Sequence, residues 1–151
     1  MQINEKLSLV FGIPDESFFK TFKESKVFVP ELRPGLEGMQ VVSKAMLKNK
    51  ITPIVICDNM MAFCMKRGLV KDVHIFYKSI NADSAVCRTG SLIAALCAKA
   101  HGINCFLHRE SAFNNHAQDL KKIGGKNITS SSIKTYVPET EEVPLASLVR
   151  G

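Results

Sequence analysis

From residue 26 onward, four short runs of branched and aromatic apolar residues alternate with stretches of helical periodicity, and few folds accommodate that rhythm. The runs are Lys26–Val29 (KVFV), Pro53–Cys57 (PIVIC), Val73–Tyr77 (VHIFY) and Ile103–Leu107 (INCFL). Apolar runs this continuous suit strands buried on both faces, as in a parallel sheet. Between them, Leu36, Met39, Val42, Ala45 and Met46 follow i, i+3, i+4 spacing, with Glu37, Gln40, Lys44 and Lys48 on the opposite side. Asn59–Lys66 predicts a shorter helix stopped by Gly68. Residues 90–100 (GSLIAALCAKA) predict a well-buried helix ending at His101-Gly102. Residues 113–123 predict a fourth, more polar helix before Gly124-Gly125. Strand and helix alternating at this spacing predict right-handed crossovers, hence an α/β fold: a Rossmann-like, doubly wound, mostly parallel sheet with helices on both faces.

The flanks read differently. Phe18, Phe19 and Phe22 share one helical face after Pro14-Asp15-Glu16, a helix start. Residues 1–25 are therefore expected as an N-terminal helical arm, 26–137 as the Rossmann-like domain and 138–151 as a loosely held tail. The arm's phenylalanines offer more apolar area than a free segment should expose, so a homodimer with the arm at its interface is expected. The 151 residues, 46% apolar and 23% charged, fit one globular domain and exclude a disordered or low-complexity chain. No apolar run approaches the roughly 20 residues that span a bilayer. The N-terminus lacks the pattern of a signal peptide. A cytoplasmic chain without membrane contact is expected.

Formal net charge is +6, but Lys44, Lys48, Lys50, Lys66, Arg67, Lys121 and Lys122 are scattered among apolar segments. Charge alone supplies only non-specific affinity for nucleic acid, so nucleic acid is not an expected partner. Five cysteines (Cys57, Cys64, Cys87, Cys97, Cys105) form no C-x-x-C pair. No metal or cofactor is expected from them, and at least four read as small buried hydrophobes.

The turns after the strands carry further information. Glu31-Leu32-Arg33-Pro34-Gly35-Leu36-Glu37-Gly38 follows the first run, Asp58-Asn59-Met60-Met61-Ala62 the second, and His101-Gly102-Ile103 opens the fourth. In this order and spacing, over about residues 26–108, they resemble the C-terminal Rossmann-like domain of the family containing methylthioribose-1-phosphate isomerase, archaeal ribose-1,5-bisphosphate isomerase and the regulatory subunits of translation initiation factor 2B. The family pattern runs E-T-R-P-x-x-Q-G, T-D-N-M-A, G-A-D-R-I, N-K-x-G-T and H-G-I-P-F. The resemblance implies either a domain that binds a phosphorylated sugar, with weakened or lost aldose–ketose isomerase activity, or a non-enzymatic regulatory module. It also implies association through the Rossmann-like domains.

Ligands of an open parallel sheet bind beyond the carboxyl ends of its strands. Arg33, Asp58 and Asn59 are expected there, with Arg88-Thr89-Gly90-Ser91 at a helix start forming a phosphate cradle of backbone N–H groups, a forked cation and hydroxyls. A plainer alternative has Asp58 and Ser91 as helix caps and Arg33 paired with Glu31. The sequence departs from the family at three points. The family glutamine falls on Glu37, the acid of G-A-D-R-I on Lys78, and the N-K pair on Cys87-Arg88. Glu37 and Lys78 are the candidate catalytic groups, or else a structural ion pair replacing lost catalysis. Cys87, beside Arg88 and a helix start, is either a thiol of depressed pKa or a buried spectator. His74 falls within a strand and His101 near a helix end. His108 and His116, which bracket Arg109 and Asn114, read either as lining the pocket mouth or as solvated loop residues.

Overall fold

Leu7–Phe11 (β1), part of the expected arm, is the central strand of the sheet, with every residue buried. A computed structural model describes residues 1–111, 122–123, 126–127, 130 and 132–148. After β1 come α1 (Glu16–Thr21), β2 (Lys26–Pro30), a π-helical turn Gly38–Val42 running into α2 (Ser43–Lys48), and β3 (Thr52–Ile56). A 3-10 turn Asp58–Met60 leads into α3 (Met61–Lys66), followed by β4 (Val70–Ile80), β5 (Ser84–Arg88), α4 (Ser91–Ala100) and β6 (Asn104–Arg109). The short β7 (Lys122–Ile123) and β8 (Lys126–Asn127) form a separate two-stranded ladder, and β9 (Thr140–Pro144) rejoins the main sheet.

The seven-stranded sheet runs β3-β2-β1-β4 in parallel, with β6 also parallel to β4. Strand β4 is long enough to carry β6 along Asp72–Tyr77 and still pair its far end with β5 in antiparallel fashion; β9 adds antiparallel to β5. The chain moves outward from β1 to β3, then returns to place β4 on the other side of β1. Right-handed crossovers in two directions put α1 and α2 on one face of the sheet and α3 and α4 on the other. Accordingly α3 and α4 pack on each other over one face, whereas Phe18 of α1 meets His74 and Phe76 of β4 and His108 of β6 on the other. The doubly wound, mostly parallel sheet expected from the alternation is present, with β1 as an additional central strand.

Two flank expectations need correction. The arm is not an arm: Leu7-Ser8-Leu9-Val10-Phe11 is a continuous apolar run like the other four, and it fills the gap between β2 and β4. Asp15 caps α1, its carboxylate accepting from the Phe18 N–H. Phe11 and Phe18 are buried in the core and Phe19 and Phe22 pack against it, so the exposed patch that argued for a homodimer is used up within the chain. The tail is not loose either. Val143 on β9 is fully buried, and the Leu145 N–H donates to the Asp83 carbonyl. Of the helix expected over 113–123, Lys122 and Ile123 are in β7 and the rest lies outside the described residues, as do Asn114 and His116. No helix among the described residues is long and apolar enough to cross a membrane.

Glycine is required at two points near the strand ends. A Cβ on Gly38 would overlap the Pro30 carbonyl oxygen, so the turn after β2 can fold tightly back on the strand only without a side chain. Gly90 holds φ +108° directly against the Phe11 ring, where any side chain would be both strained and displaced.

Candidate functional site

The carboxyl ends of β1, β2, β3, β4 and β6 point to one edge of the sheet, and because β5 runs antiparallel its last residue, Arg88, returns toward that edge beside Tyr77. The loop after β2 is tied to the loop after β3 by one side chain. Asp58 accepts from the backbone N–H of Leu32 at 2.9 Å and of Arg33 at 2.8 Å. Leu32 and Leu36 both hold left-handed φ angles (61° and 63°), conformations that cost about 1–2 kcal/mol each in a non-glycine residue. Asp58 holds the loop in that shape rather than capping its own helix. Asp58→Ala is expected to lower stability by about 1.5–3 kcal/mol, the value of hydrogen bonds to a charged group, with Asp58→Asn losing roughly half as much. Urea titration would read both, and an unchanged midpoint for Asp58→Ala would contradict the tie.

Arg33 turns its guanidinium to Glu31, 2.9 Å away, as the plainer alternative held; it is half exposed while Glu31 is nearly buried. The carboxylate raises the arginine pKa further, so the cation is permanent. Asn59 is exposed.

Arg88 is buried, and it is shared. Its Nη1 lies 3.7 Å from Oε1 of Glu37 and its Nη2 lies 3.4 Å from Oε1 of Glu110. Only 7%, 13% and 7% of the Arg88, Glu37 and Glu110 side chains are exposed, so two carboxylates meet one cation out of water. Burial raises the Glu110 pKa, and Arg88 and Lys78 only partly offset it. Lys78 pairs with Glu139 at 3.1 Å. Glu37 and Lys78 thus form no pair with each other, a correction to the expected ion pair: β4 carries Lys78 past the Arg88 cluster toward β9.

The expected phosphate cradle is filled from within. Oε2 of Glu141 on β9 accepts from the N–H groups of Gly90 and Leu92 at the start of α4. The Thr89 hydroxyl donates to the Pro138 carbonyl at 2.7 Å, and the Ser91 hydroxyl is fully buried. A carboxylate suits the positive end of a helix as a phosphate does, and here the chain supplies it. Glu110 and Glu141, both missed by the motif reading, are the groups that change the site's charge. The sequence signal for Glu110 was its place one residue past β6; Glu141 gave none.

Cys87 is buried beneath this cluster. Burial, then the negative Glu110 and Glu141, push its thiol up to about 12, the opposite of the depressed value that the helix start and Arg88 suggested. Of the other cysteines, Cys64 and Cys105 are buried, Cys97 is half-buried and Cys57 is exposed, so three rather than four are core residues. The His101 Nδ1–H donates to the Cys97 carbonyl, 2.8 Å away at the end of α4.

His108 does not reach the pocket mouth. Its Nε2 lies 2.8 Å from Nδ1 of His74, whose Nε2 lies 3.0 Å from Oδ1 of Asp72. The two rings stack beneath Phe18. Burial, reinforced by His74, lowers the His108 pKa to about 4. This carboxylate–imidazole–imidazole chain belongs to the α1 side of the sheet, away from Arg88.

The model of the initiation factor 2 subunit family matches residues 10–148. The chain belongs to the initiation factor 2 subunit family. Among curated relatives, the methylthioribose-1-phosphate isomerase of Heliobacterium modesticaldum is 38% identical over 81% of this chain and 40% of its own length. That of Carboxydothermus hydrogenoformans is 27% identical over 83% of this chain and 41% of its own. This family member therefore spans about two-fifths of the length of such relatives. Of solved structures, subunit delta of the translation initiation factor eIF-2B from A. fulgidus superposes with a TM-score of 0.77 at 20% identity, covering 96% of this chain and 51% of that one. The 5-methylthioribose 1-phosphate isomerase of Pyrococcus horikoshii gives 0.76 at 18% identity, over 95% and 49%. At these identities the superpositions establish the shared fold.

Proposed function

We propose that this family member is a non-enzymatic interaction module of the factor 2B type, whose strand-end site is closed by its own carboxylates. One observation carries the reading: Glu37 and Glu110 occupy Arg88, and Glu141 occupies the amides of Gly90 and Leu92, at the helix start where Arg88, Thr89, Gly90 and Ser91 were expected to cradle a phosphate. A phosphorylated sugar would have to displace Glu141 and approach two further carboxylates. Isomerisation also needs an acid or base aimed at the sugar carbons. Glu37 is turned to Arg88 and Lys78 to Glu139, so neither candidate stands free for that role.

The sugar-phosphate reading keeps one specific support, the half-exposed Arg33 at the same sheet edge. Calorimetric titration with methylthioribose 1-phosphate and with ribose 1,5-bisphosphate, together with a coupled isomerase assay, separates the two. No heat of binding at millimolar ligand and no turnover are expected. Turnover on the order of 1 s⁻¹, within the ordinary enzyme range, would overturn the non-enzymatic reading, and tight binding without turnover would restore the sugar-phosphate one.

A further inference from the structure

The helical layer formed by α3 and α4 has an unusual charge pattern. Between Asn59 and Lys71, and again between Ser84 and Arg109, the chain contains no Asp or Glu. The exposed outer positions are instead apolar or cationic. Phe63 is 54% exposed, Ile93 59% and Leu96 50%, and Lys66, Arg67 and Lys99 are exposed around them. The Arg67 guanidinium stands over the Phe63 ring, 5.6 Å from its centroid, which leaves its N–H edges available. Among the described residues no carboxylate pairs with Lys66, Arg67 or Lys99. Glu141 enters the layer only at the first turn of α4, where it is already bonded to the backbone. The opposite face is of mixed charge, with Asp15, Glu16, Lys20, Lys44 and Lys48 on or beside α1 and α2.

Beside α3 the layer opens into a groove of about 520 Å³ against the edge strand β3, lined by Ile3, Phe28, Ile54, Met60, Phe63 and Arg67. The groove takes apolar side chains and the cations take carboxylates. A second copy of this chain brought up through the same face would set Lys66, Arg67 and Lys99 against themselves, which like-charge repulsion opposes.

We infer that the α3–α4 face with its groove is the docking surface for an acidic amphipathic helix of a different protein. The helix lays its apolar side along Phe63, Ile93 and Leu96, and its carboxylates meet Arg67, Lys66 and Lys99. This deepens the proposed interaction role and rests on it.

The test uses two fluorescein-labelled peptides of about 15 residues, near the shortest length that holds a helix. Both carry the same leucine stripe, one with glutamate and the other with lysine on the polar side. Fluorescence anisotropy should show the glutamate peptide binding the intact chain at least about tenfold more tightly than the lysine peptide, with the preference falling as salt screens it. Arg67→Glu with Lys99→Glu should reverse the preference, and Phe63→Ser with Leu96→Ser should abolish binding while thermal melting stays unchanged. Equal binding of both peptides, or no binding, overturns the inference. So does tighter association with phosphatidylserine vesicles that Phe63→Ser removes, which would make the face a membrane contact. A concentration-dependent dimer in sedimentation that Leu96→Ser dissociates assigns the face to a second copy and overturns it as well. The isomerase assay is independent: turnover with an intact peptide preference would sink the non-enzymatic reading and leave the surface standing.

Discussion

Arg88→Met is expected to cost about 3–5 kcal/mol of stability, because removing one partner of a buried charge cluster leaves the others uncompensated. The cluster makes the cost severe: Glu37 and Glu110 would both remain at the sheet edge, with Lys78 alone left to offset Glu110. Glu110 would then favour its protonated form still more, so the loss should be smaller at pH 4–5 than at pH 7, where it must ionise. The sign follows from Glu110, whose pKa is already raised by burial. A carboxyl with a folded pKa above its unfolded value contributes most when protonated, and that contribution fades as pH rises through the folded value. Glu37→Gln with Glu110→Gln added to Arg88→Met should recover much of the stability, and Glu110→Gln alone should cost little. Urea unfolding at pH 5 and pH 7 reads all of these. An Arg88→Met variant within about 1 kcal/mol of the parent at pH 7 would mean that the cluster is not sealed from water, since exposed pairs are worth only that much.

Phe18→Ala is expected to cost about 3–5 kcal/mol, the usual range for deleting a buried phenylalanine ring. Phe18 is 4% exposed and its ring touches Phe19, Phe22, Phe76, His74 and His108. The same substitution should alter the acid response. His108 titrates at about 4 in the folded chain against 6.5 for an ordinary imidazole. A histidine with a depressed folded pKa contributes fully above the unfolded value, and the contribution disappears as pH falls toward the folded one. The parent should therefore lose stability between pH 6.5 and 4, by on the order of 1–2 kcal/mol once the partial solvent exposure of the ring is allowed for. Asp72 works in the same direction lower on the scale. Burial opposes its ionisation, but the hydrogen bond and charge of His74 help bring its pKa below the ordinary value. With Phe18 removed, water reaches the imidazole pair and the His108 proton should return toward pH 6.5, followed by the ring Cε1–H resonance in NMR. A His108 resonance that still titrates near 4 in the variant would show that His74, not burial, sets the value.

The elements legible in the sequence were those whose signal is local. β2, β3, β4 and β6 are continuous apolar runs, and α2, α3 and α4 carry helical spacing or a glycine stop, so their order and most of their bounds could be read directly. β1 carries the same signal in Leu7–Phe11, but the three phenylalanines that follow it drew the whole segment into a helical reading. β9 was hidden for a different reason. Thr140-Glu141-Glu142-Val143-Pro144 offers a single buried apolar residue, and its place depends on β5, a partner more than 50 residues earlier. The site divides the same way. The turns bearing Arg33, Asp58 and Arg88 were recognisable by motif. That Asp58 would serve the Leu32–Arg33 backbone, and that Arg88 and the α4 amides would meet Glu37, Glu110 and Glu141, depends on register between distant strands, which no local pattern encodes.

The late arrival of β9 bears on how such a chain is made. In synthesis from the N-terminus, β1 to β6 and α1 to α4 are made before Thr140, and a sheet formed without β9 ends in β5. Its backbone N–H and C=O groups are then an open edge, and the first turn of α4 lacks the Glu141 carboxylate. Open edges pair readily with whatever strand is nearest, including the same edge of a neighbouring nascent chain on a polysome. Strand β9 thus shuts both openings at once, and the period of greatest exposure to mispairing lasts until β9 has cleared the ribosome and docked on β5.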